Sequence, residues 1–389
     1  MASRVILCLN SGSSSLKFAL YRMGDKEELL LAQGAAELND AQITRLWIRS
    51  AHEKVEKTGS EISSASTPLY ALAFELKRLR LPHPDAVGHR IVHGGPHHSA
   101  PERITDTLFD ELGSLIPFAP LHLPDEIAGI EAVSSNFPSL PQVACFDTAF
   151  HRSMPEFAQR FALPLALRDE GIRRYGFHGI SYEYIVRTLG ANLPSRLIIA
   201  HLGNGASMAA VKDGSPLDTT MGFTPAGGFM MGTRSGDLDP GIILYLLTEK
   251  HLKVSELAEL VNHQSGLLGV SGFSDMKMLL ERRDTAPDAA LAVQMFCYQI
   301  RKQIGAFTAA LGGLDLLVFT GGIGEKAAAV RWETCNGLEH LGIKLERERN
   351  DANADTISTD KTGCIVRVIP TNEDLMIARH TYELVFSER

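Results

Sequence analysis

Two segments of the chain share one pattern, in which an apolar run, a turn of small residues and a second apolar run follow each other. The first segment covers residues 5–21 and the second covers residues 197–211. This pattern predicts a β-hairpin in each segment. Asn10 and Asn204 hold comparable places in the two segments and lie about half the chain apart. We therefore expect a fold built from two copies of one unit.

The rest of the chain alternates between helical and extended patterns. Residues 314–320 form a nearly continuous apolar run, typical of a strand buried on both faces, and a glycine-rich turn follows at 321–325. Since a domain has about 150 residues, a length of 389 residues favours two α/β domains, which we expect to face a cleft. Helix-like stretches are predicted over residues 68–80, 106–116, 124–135, 181–189, 240–250, 255–262 and 286–312, and the last of these has small and apolar residues at helical spacing.

The charge balance is mildly acidic, with 38 Lys and Arg against 46 Asp and Glu and a net charge of −8. Such a chain has no basic surface for nucleic acid or an anionic membrane. We therefore expect neither partner, and any anionic ligand must be held locally by a few residues. The five cysteines are far apart and include no CxxC pair, which argues against disulfides and zinc. With no signal peptide or membrane span apparent, these features predict a soluble, cytoplasmic protein.

Three glycine-rich turns follow apolar strands, at residues 10–15, 203–207 and 321–325. Turns of this kind expose backbone N–H groups and let a phosphate approach closely. Each turn alone is equally consistent with a tight connection, but three together favour a nucleotide site. The sequence contains no G-x-x-x-x-G-K-[ST], no G-x-G-x-x-G that opens a helix and no protein-kinase signature. The site must therefore be of another type.

Two charged residues follow short apolar segments. Arg90 is within the glycine- and histidine-rich segment 88–95, where a guanidinium can bind a carboxylate or phosphate. A surface ion pair is the alternative. Asp147 follows the apolar segment 142–146, and carboxylates at strand ends line ligand crevices in α/β folds. The alternative for Asp147 is a helix or turn cap.

Two further residues are in loops rich in glycine. His178 stands between Gly176 and Gly179, where it is free to face a ligand. Arg234 is followed by Asp237 and Asp239. These two acids fit either a metal site or N-terminal capping of the next helix.

Nine phrases of the sequence resemble the acetokinase family, which comprises acetate kinases and the closely related propionate kinases. They span residues 9–379 in the order expected for the family. The phrases are LNSGSSSLKF, GHRIVHGG, FDTAFH, RYGFHG, HLGNGAS, DTTMGFTPAGG, MMGTRSGDLDP, FTGGIGE and PTNEDLMIAR.

The resemblance implies a duplicated actin-like, ribonuclease-H-like α/β fold, as in the sugar kinase, Hsp70 and actin superfamily. ATP then lies in a cleft between two domains and the two hairpins contact its phosphates. Residues 1–150 and 375–389 would form the domain on the carboxylate and magnesium side, and residues 151–374 the nucleotide-binding domain. The implied reaction is reversible phosphoryl transfer from ATP to acetate, with Mg²⁺ as cofactor, Mn²⁺ as a possible substitute and a homodimer as the assembly.

The resemblance also implies roles for individual residues. Asn10 and Glu373 resemble the magnesium-site residues, and Arg90 resembles the residue that binds the substrate carboxylate. Asp147, His178 and Arg234 resemble the catalytic residues, the last two stabilising the phosphoryl group in transfer. Phosphate contacts are implied for Ser13, Ser15 and Lys17, and an apolar pocket for the substrate methyl group is implied for Val92, Leu121, Phe177 and Pro225. Nucleotide-binding positions are implied for His201, Leu202, Gly203, Asn204, Gly205, Asp275, Met276, Lys277, Gly322, Ile323, Gly324, Glu325 and Lys326.

The sequence departs from the family pattern at a few positions. Lys277 replaces the usual arginine, Lys326 a common asparagine, and Ile180 and Tyr182 a threonine and a histidine. None of these residues is among those implied to contact the phosphoryl group, so the departures affect the expected nucleotide preference rather than activity. A propionate kinase and a non-catalytic nucleotide-binding protein of the same fold are the alternatives. The second predicts that at least one phosphoryl-contacting residue is lost, whereas all are present.

The chemistry suggests a different role for Asp147 than that of a general base. A carboxylic acid has a pKa of about 4, so acetate has already lost its proton at neutral pH. Both reactants are anionic, and the main obstacle to transfer is charge repulsion. We therefore expect Asp147 to orient Arg90 or the magnesium ligands.

Overall fold

A computed structural model of the protein describes residues 3–12, 15–39, 42–58 and 67–387. The chain divides into two compact units, which are Met1–Phe150 with Asn372–Arg389, and His151–Thr371. The chain returns to unit 1 at Asn372, three residues before residue 375, where the sequence predicts this return. The side chain of Asn372 caps the last helix by accepting a hydrogen bond from the Leu375 N–H at 3.0 Å, so the residues before 375 begin that helix.

Unit 1 is built around one mixed sheet. Its strand order is β5-β4-β3-β2-β1-β6-β8-β7, with β1 antiparallel to β2 and parallel to β6. The apolar side chains of β1 are buried, and Leu7 and Leu9 join the core with Phe18 and Val87. The strands are β1 Arg4–Gly12, β2 Ser15–Gly24, β3 Glu27–Asn39, β4 Gln42–Ser50, β5 Lys54–Thr58, β6 Ala86–Ile91, β7 Glu102–Arg103 and β8 Gln142–Phe146.

The described part of unit 1 contains four α-helices. They are α1 Pro68–Arg78, α2 Asp106–Ser114, α3 Leu123–Asn136 and, at the end of the chain, α15 Glu373–Phe386. Helix α1 begins where Thr67 caps it and Pro68 occupies its first position. Helix α15 packs directly on β6 because Gly88 has no side chain, and a Cβ there would lie 2.3 Å from Thr381 Oγ1. This close packing brings the start of α15 towards the strand that carries Arg90.

Unit 2 contains a second sheet, with strand order β11-β10-β9-β12-β13. Its strands are β9 Arg196–Leu202, β10 Ala206–Lys212, β11 Ser215–Thr219, β12 Leu316–Thr320 and β13 Ile365–Val368. Every residue of β12 is buried, as predicted from its apolar run. The helices of unit 2 are α4 Glu156–Gln159, α5 Leu165–Asp169, α6 Gly179–Leu189, α7 Pro240–Thr248, α8 Val254–His263, α9 Gly266–Ser271, α10 Met276–Arg282, α11 Pro287–Leu311, α12 Gly321–Lys326, α13 Ala328–Cys335 and α14 Arg347–Asp351.

The two sheets repeat one topology. In unit 1, three antiparallel strands, β3-β2-β1, continue into the parallel strands β6 and β8. In unit 2, β11-β10-β9 continue in the same way into β12 and β13. The expectation of a duplicated α/β fold is therefore confirmed, and both predicted hairpins are present.

Two details of the sequence prediction were wrong. Asn10 lies within β1 opposite Lys17, whereas Asn204 lies in the turn between β9 and β10, so their places in the hairpins differ. Residues 321–325 begin a short helix, α12, rather than a turn. A glycine-rich segment predicts tight backbone geometry, but it does not distinguish a turn from a helical start.

Over the described ranges, no helix is both long and apolar enough to cross a membrane.

Candidate active site

Arg90 is the central charged residue of unit 1. It lies near the end of β6, between β1 and β8. Its Nη2 donates to Oδ2 of Asp147, the residue that follows β8, and its Nη1 donates to Oδ1 of Asn10 at 3.3 Å. The Arg90 side chain is 16% exposed and the Asp147 side chain is wholly buried. Arg90 is therefore held in a fixed orientation while part of its guanidinium stays accessible.

The charges around Arg90 come from several elements of unit 1. Burial alone would lower the pKa of Arg90, but Asp147 and Glu373 overcome this effect and raise it. Burial raises the pKa of Asp374 to about 6, and Glu373 adds to this rise while Lys17 and Arg90 oppose it. Asp147, Glu373, Asp374 and Lys17 thus share one electrostatic environment with Arg90.

The residues expected at the magnesium site fit that ion. Asn10 and Glu373 offer an amide oxygen and a carboxylate, which are ligand types that Mg²⁺ prefers. No described residue donates a hydrogen bond to the Glu373 carboxylate, although Arg90 lies in its electrostatic range. Within the described ranges, no group of three or more His, Cys, Asp or Glu side chains could hold a metal. A site with two protein ligands suits Mg²⁺ because this ion commonly keeps waters and binds substrate phosphates.

Val92 and Leu121 are the apolar residues expected around the substrate methyl group in unit 1. Val92 follows β6 and is 2% exposed, and its N–H donates to Oε2 of Glu126 at 3.0 Å. Leu121 is 40% exposed, just before α3. The backbone of Val92 is thus fixed by the buried carboxyl of Glu126, while the side chain of Leu121 is accessible to solvent.

His178 of unit 2 has a strained backbone. It precedes α6 with a φ of 57°, in the left-handed region that non-glycine residues seldom occupy. Its Nδ1 lies 2.8 Å from Oγ of Ser207, which is also hydrogen-bonded to the hydroxyl of Tyr182. The His178 ring stacks on His201 with a centroid distance of 4.3 Å. These contacts fix the plane of the ring and the environment of Nδ1.

Arg234 meets His178 at the turn of the second hairpin. A Cβ at Gly205 would lie 3.3 Å from Nε2 of His178 and 3.7 Å from Nη1 of Arg234. The same Nη1 donates to the carbonyl of Pro225 at 3.0 Å. Since Gly205 has no side chain, two nitrogens from distant parts of unit 2 can approach one point on the backbone.

A cavity of about 760 Å³ opens beside this turn. Its volume lies within the usual range for ligand pockets, about 300–1,000 Å³. Predicted nucleotide-binding residues from three segments line it, namely Gly203, Asn204, Asp275, Met276, Lys277, Gly322, Ile323 and Lys326. Three glycine-rich or polar segments that are distant in sequence are therefore brought to one cavity.

Sequence comparison assigns the chain to a known family. Residues 5–379 match the acetokinase family. The chain belongs to the acetokinase family. It is 45% identical to the acetate kinase of Methylocella silvestris over 98% of both chains, and 43% identical to that of Rhodopseudomonas palustris at the same coverage. These matches make the chain a kinase enzyme of this family.

Solved structures of the acetokinase family agree with this fold. A crystal structure of Porphyromonas gingivalis acetate kinase is 39% identical, with a TM-score of 0.87 over 98% of this chain and all of that one. A propionate kinase from Francisella tularensis is 37% identical, with a TM-score of 0.92 over the same shares of both chains. The resemblance recognised in the sequence motifs is confirmed over nearly the whole length.

Other residues with expected roles do not line the cavity. Leu202 and Gly324 are buried, and His201, at 9% exposure, packs under His178. Oε1 of Glu325 accepts hydrogen bonds from the N–H groups of Gly321 and Thr371, so Glu325 braces the start of α12. Gly205 lies at the meeting point of His178 and Arg234 instead.

The remaining predicted residues have local contacts of other kinds. The Phe177 carbonyl accepts a hydrogen bond from Nε2 of His151 at 3.1 Å, and Asp275 caps α10 by accepting from the Met278 N–H at 2.9 Å. Asp239 caps α7, and Asp237 accepts a hydrogen bond from the N–H of Gly228 at 2.8 Å. The capping interpretation of Asp239 is therefore confirmed. Ser15 begins β2, and Ser13 lies outside the described residues.

Sequence reasoning missed three residues that contact the site. Glu126 holds Val92, and Ser207 and Tyr182 hold His178. Ser207 is within a motif that was recognised, and Tyr182 was noted only as a departure from the family pattern. Glu126 gave no signal, because an acidic residue in the first turn of a helix is usually exposed.

Proposed function

We propose that the protein catalyses reversible phosphoryl transfer from ATP to acetate, giving ADP and acetyl phosphate. The observation that carries this proposal is the approach of His178 and Arg234 to Gly205, beside a cavity of nucleotide size. Membership of the acetokinase family supports the reaction, because its relatives are named acetate kinases. The residues of each unit then supply separate parts of the chemistry.

In unit 1, Arg90 binds the carboxylate of acetate. Its hydrogen bonds to Asp147 and Asn10 reduce the entropy lost when it binds, because the guanidinium is already oriented. Asp147 acts through Arg90 and takes no proton, since acetate is ionised at neutral pH. Val92 and Leu121 contact the methyl group.

In unit 2, His178 and Arg234 stabilise the charge that develops on the transferring phosphoryl group. A phosphoryl transition state spreads negative charge over its equatorial oxygens, and fixed donors oppose that charge. Ser207 holds Nδ1 of His178, which leaves Nε2 for the phosphoryl oxygens. The Tyr182 hydroxyl in turn orients Ser207.

Asn10 and Glu373 hold Mg²⁺ in this proposal, with Mn²⁺ as a possible substitute. When bound, the ion neutralises phosphate charge and orients the phosphates. ATP occupies the cavity of unit 2. Lys277 and Lys326 line this cavity and differ from the residues usual in the family, so the preference for ATP over other nucleotides has to be measured. Both lysine side chains are exposed. Each offers a compact positive charge in place of the planar guanidinium of arginine or the amide of asparagine, which would stack or hydrogen-bond differently.

Propionate phosphorylation is the second candidate function. The similarity to the Francisella propionate kinase favours it. One methylene in an apolar pocket changes binding by about 1–3 kcal/mol, so we expect propionate to be a weaker substrate than acetate and butyrate weaker still.

We also propose that the protein is a homodimer in the cytoplasm and that α7 is part of the dimer interface. None of the residues of α7 is buried, and Leu244 and Tyr245 are 62% and 50% exposed. An apolar helix of this kind is stabilised when a second copy covers it. All five cysteines are buried, free thiols, which agrees with a reducing compartment.

A hydroxamate-trapping assay tests the reaction directly. The protein is incubated with MgATP and acetate, propionate or butyrate in parallel, and the acyl phosphate is trapped by hydroxylamine. Acetyl hydroxamate should form fastest at limiting substrate. A comparable kcat/KM for butyrate would contradict the assigned pocket, and no product with acetate would contradict the proposed function.

A further inference from the structure

Glu126 is a buried carboxyl group that the proposed chemistry does not use. It lies in the first turn of α3 and is 1% exposed. Its Oε2 accepts a hydrogen bond from the N–H of Val92 at 3.0 Å. Its Oε1 is buried and makes no hydrogen bond with any residue in the described part of the chain. A polar atom in this situation is costly unless a ligand or a water satisfies it.

The charged groups that face Glu126 come from three places in unit 1. Arg90 on β6 attracts a negative charge there, whereas Asp147 after β8 and Asp125 on α3 repel it. Burial is the largest effect, and it raises the pKa of Glu126 to about 8 despite Arg90 and the Val92 N–H. The carboxyl is therefore protonated at neutral pH, and the proton makes Glu126 a hydrogen-bond donor.

The charges around Arg90 explain how a neutral Glu126 favours binding of an anionic substrate. Asp147 and Glu373 already place two carboxyl groups around the Arg90 guanidinium. A third negative charge, on Glu126, would oppose the entry of an anionic substrate. A neutral Glu126 avoids this repulsion while keeping the hydrogen bond to Val92.

We propose that Glu126 is a positioning residue for the carboxylate substrate, whose neutral carboxyl fixes Val92 through Oε2 and presents a donor, not a charge, beside Arg90. This inference rests on the proposed function, in which Arg90 binds acetate. The substrate class that such a site selects is a small monocarboxylate anion. Ionisation of Glu126 weakens binding of that anion and leaves the phosphoryl-transfer residues of unit 2 unchanged.

Steady-state kinetics over about pH 6 to 9.5 test the proposal. The acetate KM of the native enzyme should rise above about pH 8 and approach a tenfold increase per pH unit, as expected when only the protonated form binds. Glu126→Gln keeps a neutral side chain and an acceptor for Val92, so its KM should stay flat in this range. Glu126→Ala should raise the acetate KM at every pH, because Val92 loses its partner.

Glu75→Gln is a matched control. Glu75 is also a buried glutamate of unit 1, but it pairs with Lys57 and Arg78 instead of Arg90. Its variant should keep the alkaline rise in acetate KM of the native enzyme. If Glu126→Gln keeps this rise as well, or if it changes kcat alone, the proposal is wrong. Absence of acetyl phosphate formation by the native enzyme would instead overturn the proposed function.

Calorimetry on the native enzyme provides a readout that requires neither variant nor turnover. Acetate binding at about pH 9 should take up close to one proton, because the protonated form of Glu126 is the form that binds. At about pH 6.5 the uptake should be near zero. Titrations in buffers of different ionisation enthalpy measure this number. If acetate binds without proton uptake at the higher pH, Glu126 does not have the proposed role.

Discussion

Replacement of Asp147 by asparagine separates two roles for this buried residue. The change keeps the shape of the side chain and removes its charge, so Arg90 Nη2 donates to an amide oxygen in place of a carboxylate. A hydrogen bond to a charged group contributes about 1.5–3 kcal/mol. Arg90 keeps its bond to Asn10 at 3.3 Å and the field of Glu373, so we expect the lower part of this range.

The loss should appear mainly in the acetate KM. About 1.5–2 kcal/mol corresponds to a rise of about 10- to 30-fold, since Arg90 contacts the carboxylate in the ground state and the transition state alike. The kcat should change little, and its pH profile should keep its shape. Acetate and MgATP are varied independently in the hydroxamate assay, and circular dichroism checks that the variant is folded.

Asp315→Asn is the matched control for this substitution. Asp315 pairs with Arg196 in unit 2, but both side chains are about a third exposed, where an ion pair contributes little. Its kinetics should equal those of the native enzyme. A general base contributes about 10²- to 10⁴-fold to the rate. A loss of kcat of that size in Asp147→Asn, with an unchanged acetate KM, would refute an orienting role.

Four other variants test separate parts of the structure. Arg234→Ala should lower kcat by roughly 10³-fold with little change in acetate KM, whereas Arg90→Ala should mainly raise acetate KM. The reverse pattern in steady-state kinetics would show that Arg234 binds the carboxylate and Arg90 the phosphoryl group. Glu126→Gln should be more stable than the native protein at pH 7, by on the order of 3 kcal/mol. Between about pH 4.5 and 8 the carboxyl of Glu126 is ionised in the unfolded chain and neutral in the native protein, so the free energy of unfolding of the native protein falls by about 1.4 kcal/mol per pH unit. Urea unfolding at pH 5 and 7.5 should therefore show a difference in stability between the two proteins that grows with pH. A constant difference would contradict a buried neutral carboxyl. Leu244→Glu on α7 should convert the dimer to a monomer, as measured by light scattering. Leu29 is also exposed, and Leu29→Glu should leave the dimer unchanged. A Leu244 variant that stays dimeric would exclude α7 from the interface.

Much of the fold follows from local sequence patterns. The helix predicted over 286–312 is observed as Pro287–Leu311, and that predicted over 68–80 as Pro68–Arg78. Helical periodicity, caps and strand hydrophobicity act between residues that are near in sequence, so these elements could be predicted without tertiary information. The turn between β9 and β10, at residues 203–205, was predicted for the same reason.

The site depended on the tertiary structure to a greater extent. Asp239 could be a metal ligand or a cap in the sequence, and only the position of its carboxylate on the Gly241 N–H decided between them. Tyr182 on α6 reaches His178 through Ser207, which lies on β10 in the second hairpin. The two contacts of Ser207 join residues that lie 29 and 25 positions apart in the chain, and such a separation carries no information about distance in space.

Glu126 shows most clearly what the sequence determined and what it did not. The sequence determined a glutamate in the first turn of a helix, a position usually exposed and favourable for a negative charge. The tertiary structure packs α3 against β1 and β6, which buries that carboxyl near Arg90 and raises its pKa to about 8. Desolvation depends on every chain segment that excludes water from a group, so the protonation state of Glu126 is decided by the assembled fold.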